Sequence, residues 1–156
     1  MAKQSAGILL YRLNSVELQV FLVHPGGPFW KNKQKGTWQI PKGEFTEDEI
    51  PLDAARREFY EETGNRIDGI FIPLSPIKQK GGKTVSAFAV EGDCDAENIK
   101  SNEFEIEWPP GSGKKKCFPE VDRASWFVIG DAINMILPCQ VPLLTELIQK
   151  CGTKPA

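Results

Sequence analysis

The stretch Gly43–Gly64, GEFTEDEIPLDAARREFYEETG, carries the strongest pattern in the chain. Pro51 suits the first position of a helix, because its φ is already helical and its missing N–H would have no partner there. Gly64 supplies a stop. Ile50 precedes the helix and offers no side-chain oxygen to its first turn, so the start rests on Pro51 and on Asp53, whose charge suits the positive helix end. Leu52, Ala55 and Phe59 form an apolar stripe expected to face a sheet. Glu58, Glu61 and Glu62 fall beside that stripe, within an arc of roughly 100° at about 100° per residue. Residues three and four apart are helix neighbours, and like charges so placed repel by ~0.2–0.5 kcal/mol per pair. A cluster that only costs stability needs a counter-charge, and a hard divalent cation with oxygen ligands, such as Mg²⁺, supplies one. The competing reading, a solvated acidic helix face, accounts for neither Gly43 nor Arg57.

Upstream, Ser5–Leu13 and Glu17–Val23 read as two strands joined by a turn at Asn14-Ser15. His24-Pro-Gly-Gly-Pro-Phe-Trp30 is a loop, Lys31–Lys35 is basic, and Thr37–Ile40 is a short strand leading into Pro41-Lys42-Gly43. Downstream, Arg66–Leu74, Lys83–Val90, Asn102–Trp108 and Ala124–Ile129 are strand candidates. Pro109–Lys116 reads as a Gly/Pro-rich basic loop, and Asp131–Leu137 and Pro142–Lys150 as closing helices. Irregular alternation of strands and helices predicts an α/β fold, a mixed sheet sandwiched by helices.

The spacing of the opening stretch resembles the signature of the Nudix hydrolase family, G-x5-E-x7-R-E-U-x-E-E-x-G-U, where U is a bulky apolar residue. Gly43, Glu49, Arg57, Glu58, Phe59, Glu61, Glu62 and Gly64 stand at its positions. Asn65 departs from it, where the final aliphatic residue belongs. Trp38–Gly43 before this stretch and Glu120–Phe127 after it also resemble family segments, so the likeness spans nearly the whole chain. It implies one Nudix domain over residues 1–156, an α/β/α sandwich. The implied activity is hydrolysis of a pyrophosphate linkage in a nucleoside diphosphate joined to another group, with Mg²⁺ or Mn²⁺ as cofactor. Pro41-Lys42-Gly43 and Lys83-Thr84-Val85 are similar to the branch that cleaves diadenosine tetraphosphate, so a nucleoside triphosphate or dinucleoside polyphosphate is the expected substrate. The alternatives are removal of pyrophosphate from RNA 5′ ends and a non-catalytic nucleotide sensor.

By the same resemblance Glu58, Glu61 and Glu62 are metal ligands, and the Gly43 carbonyl can add an oxygen. Glu120, from the later loop, is a metal ligand or the general base, with Glu61 the alternative base. Arg57, four residues before Glu61, orients a carboxylate by a charge-assisted bond, and Glu49 pairs with Arg57 or steadies the loop. Lys42, Lys80 and Lys83 are candidates to contact the outer phosphates. Trp30, in the glycine-proline loop, is the candidate for stacking on a nucleobase. Trp38 and Trp126 read as core or sheet residues, and His24 is assigned no role. Glu103, Glu105 and Glu107 alternate along one face of a strand, opposite Phe104, Ile106 and Trp108, and read as solvated.

Composition bounds the rest. The chain has 156 residues, 40% of them hydrophobic and 26% charged, with a net charge of −2. That is enough for one sizeable core, and it leaves no basic excess to hold a long nucleic acid by its phosphates. Four cysteines, Cys94, Cys117, Cys139 and Cys151, with one histidine, give no zinc spacing and are expected reduced and partly buried. No apolar run approaches a membrane span or a signal-peptide core, so cytoplasm is the expected location.

Overall fold

A computed structural model describes residues 3–14, 17–79 and 81–151. Ser15 of the expected turn and Lys80 of the expected phosphate grip lie outside the described residues. Strands β1 (Gln4–Asn14) and β2 (Glu17–Pro25) pair antiparallel, and β2 pairs antiparallel with β9 (Val121–Val128). On its other side β1 runs parallel to β6 (Thr84–Glu91), in a register from Gln4↔Thr84 to Tyr11↔Glu91. The strand order is β4-β6-β1-β2-β9, where β4 is Ile72–Pro73; β3 (Lys42–Phe45) pairs with the start of β1 and β5 (Ile77–Lys78) with β6. One parallel pair among antiparallel ones makes this a mixed sheet.

Alternation along the strands sends side chains to two cores. Ala6, Ile8, Leu10, Phe21 and Val23 meet Ala54, Ala55 and Phe59 of α1 (Pro51–Thr63) on one face. Leu9, Val20 and Leu22 meet Ala132 of α2 (Ile129–Met135) and Leu143, Leu144 and Leu147 of α3 (Val141–Cys151) on the other. Helices thus cover both faces, and the expected α/β/α sandwich is what the chain forms. A separate hairpin, β7 (Glu103–Glu107) and β8 (Lys115–Pro119), stands off the sheet.

Helix α1 starts at Pro51 with no side-chain cap and ends on Gly64, whose φ of 76° is left-handed. Asn65 does not share that turn; its side-chain amide donates back to the Thr63 carbonyl at 3.1 Å. Leu52 is only half-buried, and Ala54 takes its place in the core. The buried arc is accordingly rotated from the expected stripe and takes in Glu58, which is 8% exposed.

Four further expectations are corrected. Thr37–Ile40 forms only isolated bridges, Val23↔Gln39 and Trp38↔Ile136. Pro41 has no N–H to continue a ladder, and the paired strand begins after it, at Lys42. Arg66–Leu74 is extended strand only at Ile72–Pro73, because Gly69, at φ 149°, breaks the run. Lys115 and Lys116 belong to β8, not a loop, paired with Glu107 and Ile106; opposite charges across a strand pair favour that register. Cys117, expected to be partly buried, is exposed.

Candidate active site

Helix α1 presents its carboxylates beside β3, where that strand pairs with the start of β1, and Arg57 organises them. Its Nε and Nη2 donate to Glu49 Oε2 and Oε1 at 2.8 and 2.9 Å, a two-pronged grip. Nη1 donates to Glu58 Oε2 and Glu61 Oε2, both at 2.6 Å. One guanidinium therefore spans three carboxylates. Its hydrogen bond with Glu49 holds Glu49 below the usual carboxylate range and makes Arg57 harder still to deprotonate.

Glu58 reaches in under β3. A Cβ built on Gly43 would stand 1.9 Å from Glu58 Oε1, so only glycine lets this backbone and this carboxylate share the space. Burial pushes the Glu58 carboxyl up, with Arg57 opposing and Glu61 and Glu120 reinforcing. Glu62 is pushed up to about 8, first by burial and then by Glu58, against the pull of Lys42. Glu120 is pushed up by burial and by Glu61. Four carboxylates, Glu58, Glu61, Glu62 and Glu120, thus lie in one another's fields.

Asn102, which no sequence pattern marks out, ties Glu120 to the helix. Its N–H donates to the Glu61 carbonyl at 2.8 Å, and its carbonyl accepts the Glu120 N–H at 2.8 Å. Its side-chain amide reaches Glu61 Oε1 at 3.4 Å. From the opposite side the Gly26 N–H donates to the Glu120 carbonyl at 2.9 Å. A Cβ on Gly26 would sit 1.9 Å from the Pro119 carbonyl oxygen, a backbone atom that cannot rotate away. Gly26→Ala is therefore expected to destabilise the fold by about 1–3 kcal/mol, the usual cost of overpacking, and to displace Glu120. Urea unfolding and turnover on the same samples check this; a variant with wild-type stability would show that the loop yields freely.

Does this arrangement suit a divalent cation? Among the described residues no group of three His, Cys, Asp or Glu side chains already stands arranged around a metal. Arg57 holds one oxygen each of Glu58 and Glu61. The donor chemistry nevertheless fits: the donors are hard oxygens, the Gly43 backbone stands close against Glu58, and Glu58, Glu62 and Glu120 are pushed toward protonation, first by burial and then by neighbouring carboxylates.

Lys42, on β3, faces this field. It is half-buried, and burial followed by Lys83 pushes its ammonium pKa down. Among the described residues it makes no ion pair, whereas Lys83 is bonded to Glu44 at 3.1 Å. Trp30 is 38% exposed, with Lys33 Nζ 5.5 Å from its ring centre. His24 is fully buried and bonds Asp122 at 2.9 Å and the Lys33 carbonyl at 2.6 Å, bracing the loop between them. Glu103, Glu105 and Glu107 are exposed to solvent, and Glu107 accepts the N–H groups of Gly111 and Gly113.

Comparison with known proteins bears on the family and the fold. Residues 1–145 match the NUDIX domain. An RNA pyrophosphohydrolase of Mesorhizobium japonicum is 31% identical over 126 residues, 71% of this chain and 68% of that protein. The RNA pyrophosphohydrolase of Bartonella henselae is 69% identical over 29 residues, a match that spans 19% of this chain and only 17% of that protein's length. Among solved structures, a Caenorhabditis elegans Ap4A hydrolase complex superposes with a TM-score of 0.67 at 18% identity, covering 98% of this chain and 100% of the other. The NUDIX domain of Shewanella oneidensis NrtR with ADP ribose gives 0.66 at 17% identity, covering 98% and 90%. At such identities these two likenesses concern fold alone. The glutamate-arginine pattern on α1, the sandwich that carries it and the match along residues 1–145 place this chain in the NUDIX family.

Proposed function

We propose that this chain, acting as a single domain, is a Mg²⁺-dependent pyrophosphohydrolase. Its substrate is a nucleoside diphosphate linked to another group, a nucleoside triphosphate or a dinucleoside polyphosphate. The observation that carries the reading is the set of carboxylates gathered beside the Gly43 backbone, of which Glu58, Glu62 and Glu120 are pushed up by burial and by their acidic neighbours. Glu58, Glu61, Glu62 and the Gly43 carbonyl would hold the cation. When bound, a divalent ion offsets the charge of the anhydride and makes a water more acidic. Arg57 fixes Glu58 and Glu61, while Glu49 fixes Arg57. The base that takes the proton from water is Glu120: both Glu61 oxygens are engaged, by Arg57 and Asn102, whereas among the described residues the Glu120 carboxylate has no partner, and burial pushes its pKa up.

Lys42 contacts the outer phosphates, with Lys83 in support and Trp30 near the base. Lys42→Ala is expected to raise KM about tenfold, the scale of a lost charge-assisted hydrogen bond. Lys83→Ala should raise it less, because Glu44 already engages that ammonium. Steady-state kinetics on both variants decides, and unchanged KM in both would remove the lysines from the site.

A second substrate reading, the 5′ end of RNA, is favoured by the three lysines Lys114–Lys116 on the hairpin whose last strand leads into Glu120, and by the names of the relatives. A sensor without activity has no need of the full carboxylate set. Phosphate or pyrophosphate release with Mg²⁺ should be assayed against nucleoside triphosphates, diadenosine polyphosphates and triphosphorylated RNA. That panel tests the proposal; no release from any of them rejects it. Among the described residues no helix is long and apolar enough to cross a membrane. The four cysteines are free, which suits a reducing compartment such as the cytoplasm.

A further inference from the structure

We infer that His24 is a positioning residue for Glu120, a role that rests on the reading of Glu120 as the base: through Asp122 it pins the β-bulge that brings Glu120 to the carboxylates of α1. Strands β2 and β9 keep one register from Gln19↔Val128 to His24↔Arg123, then shift, so that Pro25 faces Val121. Asp122 is the extra residue of the bulge. In an unbroken register Pro25 would face Asp122, and Val121 would turn to the other side of the sheet, since a slip of one residue exchanges faces. With the bulge, Val121 is buried in the core under α1. Glu120, one residue beyond, is bonded through Asn102 to the Glu61 carbonyl.

The ladder is weakest where the bulge falls. Pro25 has no N–H to donate there, and side chains take over. His24, fully buried, sets Nδ1 2.9 Å from Asp122 Oδ1 and Nε2 2.6 Å from the Lys33 carbonyl. A carbonyl oxygen carries no hydrogen, so Nε2 donates to it. A second proton lies between Nδ1 and Asp122, because two bare acceptors at that distance repel. The Trp38 ring, 5.2 Å away, keeps the imidazole from turning. Arg123 Nε stands 3.7 Å from the same Asp122 oxygen.

A histidine that only fills a core would need partners for its two nitrogens and nothing more. The placement of these partners goes further. One is the bulge residue, two positions from Glu120, and Gly26, two positions from His24, donates to the Glu120 carbonyl at 2.9 Å. Strand β2 thus grips the chain at Asp122 and again at Glu120, and the grip at Asp122 is made by a side chain.

Two variants close in shape to histidine divide the ring's bonds. His24→Asn places an amide nitrogen where Nδ1 stands and keeps a donor for Asp122. His24→Gln places one where Nε2 stands and keeps a donor for the Lys33 carbonyl. With Mg²⁺ and the nucleotide of the panel that turns over fastest, kcat in His24→Gln should fall about 10- to 100-fold at unchanged KM, the scale of a displaced catalytic group. His24→Asn should recover most of that kcat. Amide hydrogen exchange followed by NMR reads the backbone without turnover: at Gly26 and Glu120 it should quicken about tenfold in His24→Gln and stay slow in His24→Asn, with the amides of β1 unchanged in both. Equal loss of kcat in the two variants, a change in KM alone, or slow exchange retained at Gly26 and Glu120 in His24→Gln overturns the role. If the wild type turns over no nucleotide but the exchange pattern appears, His24 still positions Glu120 and the hydrolase reading falls. Turnover that both variants leave at the wild-type level keeps the hydrolase and removes His24.

Discussion

Glu62→Gln should lower turnover by about 10²-fold or more while making the metal-free protein more stable at pH 8. The first effect follows from removing a proposed ligand whose cation contributes several kcal/mol of charge stabilisation, with each 1.36 kcal/mol a factor of ten. The second follows from burial. Glu62 titrates at about 8 in the fold, above the ordinary carboxylate value that the unfolded chain restores. Between those two values the folded protein binds more protons than the unfolded one, so stability falls as pH rises through that window. A neutral glutamine removes that part of the slope. In the wild type Mg²⁺ should raise Tm at pH 8, because a ligand that binds only the folded state stabilises it; in the variant the rise should be smaller. Melting curves at pH 6 and pH 8, with and without Mg²⁺, together with turnover, separate the two effects. A variant that keeps wild-type turnover, or that melts lower than wild type at pH 8 without metal, would remove Glu62 from the proposed site.

The parts of the site that sequence reveals are those written in short-range chemistry. Pro51 and Gly64 delimit α1 because φ restriction and left-handed tolerance are properties of single residues. The proximity of Arg57 and Glu61 follows from helix pitch alone. What escapes is set by pairings between distant residues. Asn102 touches Glu61 across 41 positions of sequence and Glu120 across 18, and nothing local to Asn102 signals either contact. The parallel pairing of β1 with β6 joins Gln4 to Thr84, so no window of sequence contains it. Lys115 and Lys116 look like loop residues by composition, yet the register against Glu107 and Ile106 makes them strand. The misplaced apolar stripe has another cause. Reading Leu52 as core assumes that α1 turns its most apolar residues inward, whereas the helix is rotated so that Glu58 lies beneath β3, and the small Ala54 packs where Leu52 was expected. The helix gives up apolar burial to bring a carboxylate against Gly43, a conflict between pattern and packing of the kind found at functional sites.

Arg57→Lys tests whether that arrangement depends on one guanidinium. Arginine offers five N–H donors in a rigid plane, and here four bonds run from three of its nitrogens to Glu49, Glu58 and Glu61. A lysine ammonium keeps the charge but is a single point with three donors on a flexible stem, so it cannot grip Glu49 with two prongs and also reach the pair on α1. If Arg57 served only to balance charge, lysine would suffice. If it orients the proposed ligands, lysine should lose about 10- to 100-fold in activity or in the Mg²⁺ concentration needed for half-maximal rate, the range seen when partners of metal ligands are altered. Glu49→Gln should reproduce part of this loss, since Glu49 is half of the two-pronged grip. The double variant should then lose less than the sum of the two single losses in free energy, because residues that act through one contact are not additive. Mg²⁺ titrations of rate for the three variants and the wild type complete the cycle. Full activity in Arg57→Lys, or strict additivity in the double variant, would mean that Glu58 and Glu61 hold their places without the guanidinium, and the orienting role would pass to Asn102 and to the packing of α1 against β3.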